Sequence, residues 1–493
     1  KGDGTITYEF FTSLSQPWKI PEMLNANEYI DITREKFENG GQLSSLDALG
    51  FPQVGDQTEN TDWMEEIFDN ASVVNHRLSA QMPNAFLSVE YWDQNGVIGG
   101  EKSNYKRYAL RFNADKEIND YIKVGNNIYI NRVENQNIGT NNAFGTVIAD
   151  AFSYDPITPV RDENGEFGFA QSEWVQKEYI NPLSRLFIQD NDGHSDQIQG
   201  NVFLEFEPLE GLVFHSDFGA DLNWFNFRTF TPSYNFHSAF FNVNNSVVQG
   251  YGHSQTLQLE NYVKYEKKFD DHNLNVVVGH TYLSRAFEQA GGSTLNIPEA
   301  AQFQDNFQYV DAGQDTSDLA YGIAAVDQRL ISFFGRVLYN YQGKYLFSAT
   351  LRRDGSTQFG PQSRFGFFPS ASVGWVISDE SFFPSGGAMS FLKIRTSWGR
   401  NGNDRITPLG YTARVVNAFS YALGQDQALN RGAALATLPN PNIKWEESDQ
   451  IDIGIESKFF DDRLSTEISL YQKRTIDLLG REQVPGTFGV TDF

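Results

Sequence analysis

The connections between strand-like segments restrict this chain's fold more than any other feature, because they fall into two alternating classes. One class is short: Asn119–Tyr121, Pro208–Gly211, Asp270–His272, Gln342–Lys344 and Phe460–Arg463. The other is long and polar: roughly 60 residues from Val133 to Asp196, roughly 25 around Pro232–Ser254, roughly 40 around Gly291–Gln328 and roughly 45 from Asn401 to Glu447. Ordinary compact domains rarely need several structureless loops of this length. An up-and-down barrel crossing an outer membrane does, with short turns at one rim and long loops at the other.

The segments between these connections alternate with a period of two, as half-buried strands do. Around Ile331–Leu351 one face reads Ile331, Phe333, Gly335, Val337, Tyr339, Tyr341, then Tyr345, Phe347, Ala349 and Leu351. The opposite face mixes Ser332, Arg336, Asn340, Ser348 and Thr350 with Phe334, Leu338 and Leu346. Similar series run through Tyr108, Leu110 and Phe112, through Val202, Leu204 and Phe206, and through Ile451, Ile453 and Ile455. Such runs give about 15 strands between Thr5 and Leu479. The count is odd, whereas bacterial single-chain barrels have even numbers, and an open edge in lipid is prohibitive. The expectation is therefore an all-β transmembrane barrel of which this chain is a piece.

Composition agrees. The 493 residues carry 63 Asp+Glu against 38 Lys+Arg, a net charge of −25, which disfavours nucleic acid as a partner. There is no cysteine, so neither a disulfide scaffold nor a thiolate metal site is available. Aromatics are 14% of residues, which suits strands. No run of about 18 apolar residues exists, so no helix is expected to span a bilayer. No signal peptide stands at residue 1, so any export signal is expected to lie upstream or to have been removed. A soluble all-β protein is the main rival, but no propeller-like repeat appears and the long loops contradict a sandwich.

Several stretches resemble one family. "FFGRVLYNYQGKYLFSATLRRDGSTQFG", "FPSASVGWVISDESFF" and "LKIRTSWGRNGND" resemble the SusC/RagA family of TonB-dependent outer-membrane transporters. So do "NPNIKWEESDQIDIGIESKFFDDRLSTEISLYQKRTIDLL", "TDWMEEIF…NHRLSA…YKRYALRFNADKEINDYIKVGNNI" and "NPLSRLFIQD…GNVFLEFEPLEGLVFHSDFG", in the same order along the chain. The resemblance implies a barrel of 22 strands around a folded plug. It makes residues 1–493 a partial barrel domain, with "KGDGTITYEFF" following the plug and about seven C-terminal strands lying outside. It also implies import of oligosaccharides or oligopeptides, energy from TonB through an N-terminal segment not present here, and a SusD-like lipoprotein as lid. Outer-membrane lipid is a further implied partner, and such units often pair as dimers of transporter–lipoprotein complexes. The alternative role is a SusC-like barrel acting as a scaffold in a larger outer-membrane assembly or secretion complex.

Candidate sites follow from residue chemistry. Trp92, Trp174, Trp224, Tyr234 and Tyr411 fall on expected extracellular loops, where aromatic faces could hold a sugar or peptide. Each could equally pack one loop against another. Val337 and Phe347 are expected to face lipid, and Tyr339, Tyr341 and Tyr345 to form an aromatic girdle beside the short turn. Asp190, Asp192 and Asp196 in "DNDGHSD" have the close spacing of a calcium loop but lack its closing glutamate, so a solvated loop is the expectation. Adjacent carboxylates such as Asp461–Asp462 and Glu446–Glu447 point to opposite faces of a strand and make poor acid–base partners. No nucleophile–base set appears; neither enzyme activity nor a cofactor is expected.

Overall fold

A computed structural model describes residues 4–480 except 57–58, 141, 143–144, 170–178, 189, 238–239, 299–308, 314–318, 325–326, 385 and 407–408, together with 485 and 487. Its strands are β1 (Thr5–Ser15), β2 (Ala71–Met82), β3 (Ala85–Asn95), β4 (Asn104–Asn119), β5 (Ile122–Gln136), β6 (Asp190–Leu209) and β7 (Leu212–Thr231). They continue with β8 (Tyr234–His237), β9 (Phe240–Asn242), β10 (Ser246–Phe269), β11 (His272–Leu295), β12 (Leu319–Ala324), β13 (Gln328–Tyr341) and β14 (Tyr345–Ser356). The last are β15 (Phe365–Val376), β16 (Met389–Asn403), β17 (Arg414–Leu423), β18 (Ala428–Thr437), β19 (Glu446–Phe459) and β20 (Leu464–Ile476). All but four of these strands form one 16-stranded antiparallel sheet in strict chain order, with β12 pairing aside onto β11. The hairpins β8–β9 and β17–β18 stand apart as two-stranded sheets.

The five short connections fall where expected, all at one rim. The β13–β14 turn shows why it is tight. Gln342 and Gly343 both take positive φ (56° and 73°), and the Lys344 amide donates to the Tyr341 carbonyl at 3.0 Å, a geometry matched to the twist of paired strands. Gly211 ends the β6–β7 turn at φ 81°, and a Cβ there would lie 2.1 Å from the Glu266 carbonyl oxygen of β10.

The long connections depart from expectation in two ways. First, the strands outrun the alternating pattern: β6 starts at Asp190, β10 at Ser246, and β11 runs on to Leu295. The outer end of β6 is polar on both faces and those of β10 and β11 mix polar, glycine and apolar residues without alternation, so the hydrogen-bonded ladder continues after the period-two signal has stopped. Second, the long connections are not structureless. Those between β1 and β2 and between β5 and β6 carry helices α1 (Ala26–Asn39), α2 (Leu43–Ala48), α3 (Trp63–Ile67), α4 (Val147–Ser153) and α5 (Pro182–Phe187). Side-chain caps start four of them: Asn25 with Glu28 in a capping box, Asp62, Thr146, and Asn181 ahead of Pro182.

These helices build a cap with its own core. Trp63, Met64, Ile67, Ile98, Ile138, Val147, Ala151 and Tyr154 are buried together, with Ala26, Ile30, Leu46, Phe51 and Ile157 in an adjoining cluster. The Trp63 indole N–H donates to the Asp155 carbonyl at 2.7 Å, and the Thr61 hydroxyl to the Thr158 carbonyl at 2.8 Å, tying one long connection to the other. Inside the cap Arg185 and Asp150 form a buried ion pair at 2.6 Å. A second core, Phe359, Phe368 and Trp445, gathers the β14–β15 and β16–β19 connections.

Directly opposed residues in an antiparallel sheet share a face, so the register traces each face across the strands. One row runs Tyr8, Leu78, Val89, Leu110, Ile130, Ile198, Leu222 from β1 to β7. Another runs Tyr341, Tyr345, Trp375, Ile394, Ile455, Ile468 from β13 to β20. This face is apolar and uncovered, interrupted by residues such as Ser216, Asn261 and His280: Leu78 is 48% exposed, Val278 60% and Ile468 62%. The apolar band steps along the strands as it crosses the sheet. The β2–β3 turn closes on the row that meets β10 at Leu259, whereas the β10–β11 turn closes at Phe269. Such stagger is the shear that accompanies strand tilt in a barrel.

Candidate functional site

The opposite face is mostly polar, and its side chains are tied into networks that cross several strands. On β1–β4, Glu90 accepts from Asn75 at 2.7 Å and from Arg77 and Arg107 at 3.3 Å, while Arg77 also reaches Glu9 at 3.4 Å. Next, Asn131 donates to Gln197 at 3.1 Å, Gln197 to Asp221 at 2.7 Å, and Asn201 to Asp217. Arg111, Tyr129, Asp217, Asp221 and Arg285 line a depression of about 710 Å³ here, with Arg111 over the Tyr129 ring at 5.6 Å. On β13 and β14, Arg352 holds Asp354 at 2.7 Å and the Ser332 hydroxyl at 2.9 Å. On β16–β20, Arg395 contacts Asp452 at 2.5 Å, Glu467 at 2.8 Å and Glu456 at 3.1 Å, with Lys393 also on Glu456.

Chemically this wall offers fixed charges and amides in graded positions, which suits a lining for polar cargo or for a polar domain. His215 meets Glu205 at 3.2 Å, but its ring is stacked on Tyr262 (4.6 Å) and Phe203 (5.7 Å), an arrangement that packs the imidazole against the wall.

The aromatic candidates separate. Trp92 stands in β3, not in a loop, on the polar face: Arg107 lies over its ring at 5.9 Å and Phe11 stacks at 6.5 Å. Trp224 stands in β7, also not in a loop, and opposes Asp196 and His253 on the apolar-band face. Tyr234 begins the β8–β9 hairpin and stacks on Phe236 (4.8 Å) and Phe240 (5.5 Å). Burial raises its phenol pKa, with the Arg185 charge opposing. Tyr411 lies in the β16–β19 connection against Gly360. Trp174 lies outside the described residues. No two of the four described candidates are in ring contact with each other; they stand in separate parts of the molecule.

The "DNDGHSD" stretch is the start of β6 and not a loop. Asp190, Asp192 and Asp196 share one face but are strung out along an extended strand, about 20 Å from first to last. Asp192 pairs with Arg228 and Gln136, and Asp196 lies 3.7 Å from Arg132. Val337, Tyr339, Tyr341, Tyr345 and Phe347 share the apolar face, as their pairing requires: Val337 opposes Ala349, Tyr339 opposes Phe347, and Tyr341 opposes Tyr345. Ser348, on the other face, meets the Ser372 hydroxyl at 2.7 Å.

A family model described as TonB dependent receptor-like, beta-barrel, matches residues 135–492. The chain belongs to that family. TonB-dependent receptor SusC of Bacteroides thetaiotaomicron is 26% identical over 513 residues, covering 98% of this chain and 48% of its own length. TonB-dependent receptor P3 of Formosa agariphila is 28% identical over 441 residues, covering 88% of this chain and 43% of its own. The chain thus spans about half the length of these relatives. The structure of the RagAB peptide transporter superposes with a TM-score of 0.83 at 20% identity, covering 100% of this chain and 57% of that one.

A TonB-dependent receptor barrel is an outer-membrane barrel, so the stepped sheet described above is a wall of such a barrel. Sequence reasoning missed the cap helices and the polar networks. The capping residues Asn25, Glu28 and Asp62 were visible signals for the helices, whereas the networks depend on register and had none.

Proposed function

We propose that this chain is the barrel part of an outer-membrane importer for oligosaccharides or oligopeptides, energised through TonB and working with a SusD-like surface lipoprotein. The observation that carries the reading is the combination of a family barrel wall with a folded cap at its long-loop rim, above a polar face. The apolar face, including Val337 and Phe347, meets lipid, with Tyr339, Tyr341 and Tyr345 at its short-turn margin. The polar face lines the lumen, where Glu90, Arg395 and their partners present fixed charge to whatever fills it. Trp92, on that face near the long-loop rim, is the aromatic best placed to touch cargo.

The resemblance to SusC and to the RagAB peptide transporter supports the pairing of a barrel with a lipoprotein. The test is deletion of the gene in its native host, followed by growth on defined oligosaccharides and oligopeptides as sole nutrients. Loss of growth on one class, restored by the wild-type gene but not in a TonB-deficient background, is the expected result. Unchanged growth on every class, with the protein recovered in a secretion or assembly complex, would instead assign it a scaffold role.

A further inference from the structure

The apolar-band face is not smooth at its long-loop margin. Two depressions lie one above the other and share strands β4 to β7, the lower reaching on to β2 and β3 and the upper to β10, and their chemistry is opposite. The lower, about 650 Å³, has Leu78, Val89, Leu110, Ile130 and Ile198 as its walls. Tyr108 and Trp224 frame its upper edge, each 45% exposed. The upper, about 670 Å³, presents Gln136, His194, Asn226, Gln249, Tyr251 and Tyr309. Successive same-face residues pass from one to the other: Ile130, Arg132, Glu134 on β5 and Ile198, Asp196, His194 on β6. Arg132 marks the junction, 3.1 Å from Glu134 and 3.7 Å from Asp196.

We propose that these two depressions form one binding site for a glycolipid of the outer leaflet, with an acyl chain in the lower groove and a sugar headgroup in the upper one. The inference rests on the reading that this face meets lipid. The groove is continuous with that face, so its occupant arrives from the bilayer. The upper depression selects the headgroup. Its Lys106 and Arg228 are balanced by Glu134 and Asp192, and Arg228 is already paired with Asp192, so no net positive charge favours a phosphate. The rest of the lining is amides, phenols and an imidazole already bonded among themselves, Gln136 to Asn104 and Asp192, Asn226 to His194 and Gln249 to Tyr251, and their second protons and lone pairs can donate and accept together as sugar hydroxyls require. From Ile198 to Asp192 the strand rises about 20 Å, enough for a disaccharide and the first part of an acyl chain.

The test uses the full-length receptor in detergent, titrated with diglucosyl-diacylglycerol or with phosphatidylethanolamine of the same acyl chains, and read by native mass spectrometry. The expected result is retention of the sugar lipid at about tenfold lower concentration, the worth of one or two well-made hydrogen bonds. The double variant Gln136→Ala, Asn226→Ala should lose that preference while still binding both lipids. Ile130→Trp, which fills the groove from an exposed position, should weaken both. Equal retention of the two lipids by the wild type, or a preference that survives the double variant, overturns the site. So does a stable dimer of the receptor that excludes both lipids. Failure of the underlying reading looks different: the receptor would then stay in the aqueous phase on detergent partitioning, before any lipid is added.

Discussion

At the scale of single residues, orientation in the hairpin of β13 and β14 makes a direct prediction. Val337 and Phe347 share the apolar face, and Ser348 lies opposite, its hydroxyl meeting that of Ser372 on β15. Arginine at Val337 in the full-length receptor should cost about 2–4 kcal/mol if it lies near the midplane, and less at Phe347, level with Tyr339 at the band's margin, whereas Ser348→Ala should cost little. Urea titrations of refolding into lipid measure both, and equal small losses at all three positions would contradict this orientation. Gly211 is a second case. Its φ of 81° and the Glu266 carbonyl 2.1 Å from any added Cβ leave no room for a side chain. Gly211→Ala should destabilise the barrel by about 1–3 kcal/mol, seen as a lower denaturation midpoint in the same titration.

At the scale of elements, the cap helices depend on a few anchors. Trp63 is 2% exposed and its indole holds the carbonyl of Asp155 across two separate connections. Trp63→Ala should cost the cap about 3–5 kcal/mol. Hydrogen exchange should then quicken over α1, α2 and α4 while the β-sheet amides keep their protection; uniform quickening would mean the cap and sheet unfold as one. Acidity acts on the same element. Burial raises the carboxyl pKa of Asp155, and that of Asp150 against the opposing pull of Arg185. Burial also pushes the Tyr29 phenol up to about 12, with the Asp155 charge adding. A carboxyl whose pKa is higher folded than unfolded keeps its proton longer in the folded state. The cap should therefore gain stability as pH falls through the raised value towards the ordinary 3.8, and hold the gain below that. Exchange protection in α4, corrected for intrinsic rates, should rise on acidification; a fall would assign these carboxyls a stabilising charged form. Asp155→Asn should abolish most of the response.

How much of this was legible differs by element. The short turns and the strands beside them were readable because lipid imposes a strict two-residue alternation, as at Ile451, Ile453 and Ile455. The strand ends were not, because Asp190–Asp196 and Ser246–Ser254 leave the apolar band and lose that alternation while keeping their backbone pairing. Trp92 and Trp224 were expected in loops for the same reason, and they stand on opposite faces of the sheet. Four of the cap helices were hidden because they are short, α3 with five residues and α5 with six being too few for a periodic signal, whereas α1, with 14 residues behind a capping box, was legible and was missed. The polar wall needs register, which couples residues as distant as Arg395 and Glu467 and leaves no local trace.

At the scale of the whole molecule, β1 and β20 each have one neighbour in the sheet among the described residues. On the reading that these 493 residues are part of a longer barrel, they should associate through those edges in detergent when expressed alone, whereas the full-length receptor should stay dispersed. Light scattering of the two preparations distinguishes them, and a monodisperse monomer of the shorter polypeptide would show that the edges close on each other. The stepped apolar band has a further consequence. A slip of one residue between neighbouring strands turns an apolar face inward and is rejected by chemistry alone. A slip of two keeps every face correct and is invisible to that rule. Because the band descends strand by strand, however, such a slip displaces all later strands by about 7 Å in depth, dragging charged rims into hydrocarbon. The bilayer thus works as a depth gauge on each strand, proofreading the one pairing error that alternation cannot see.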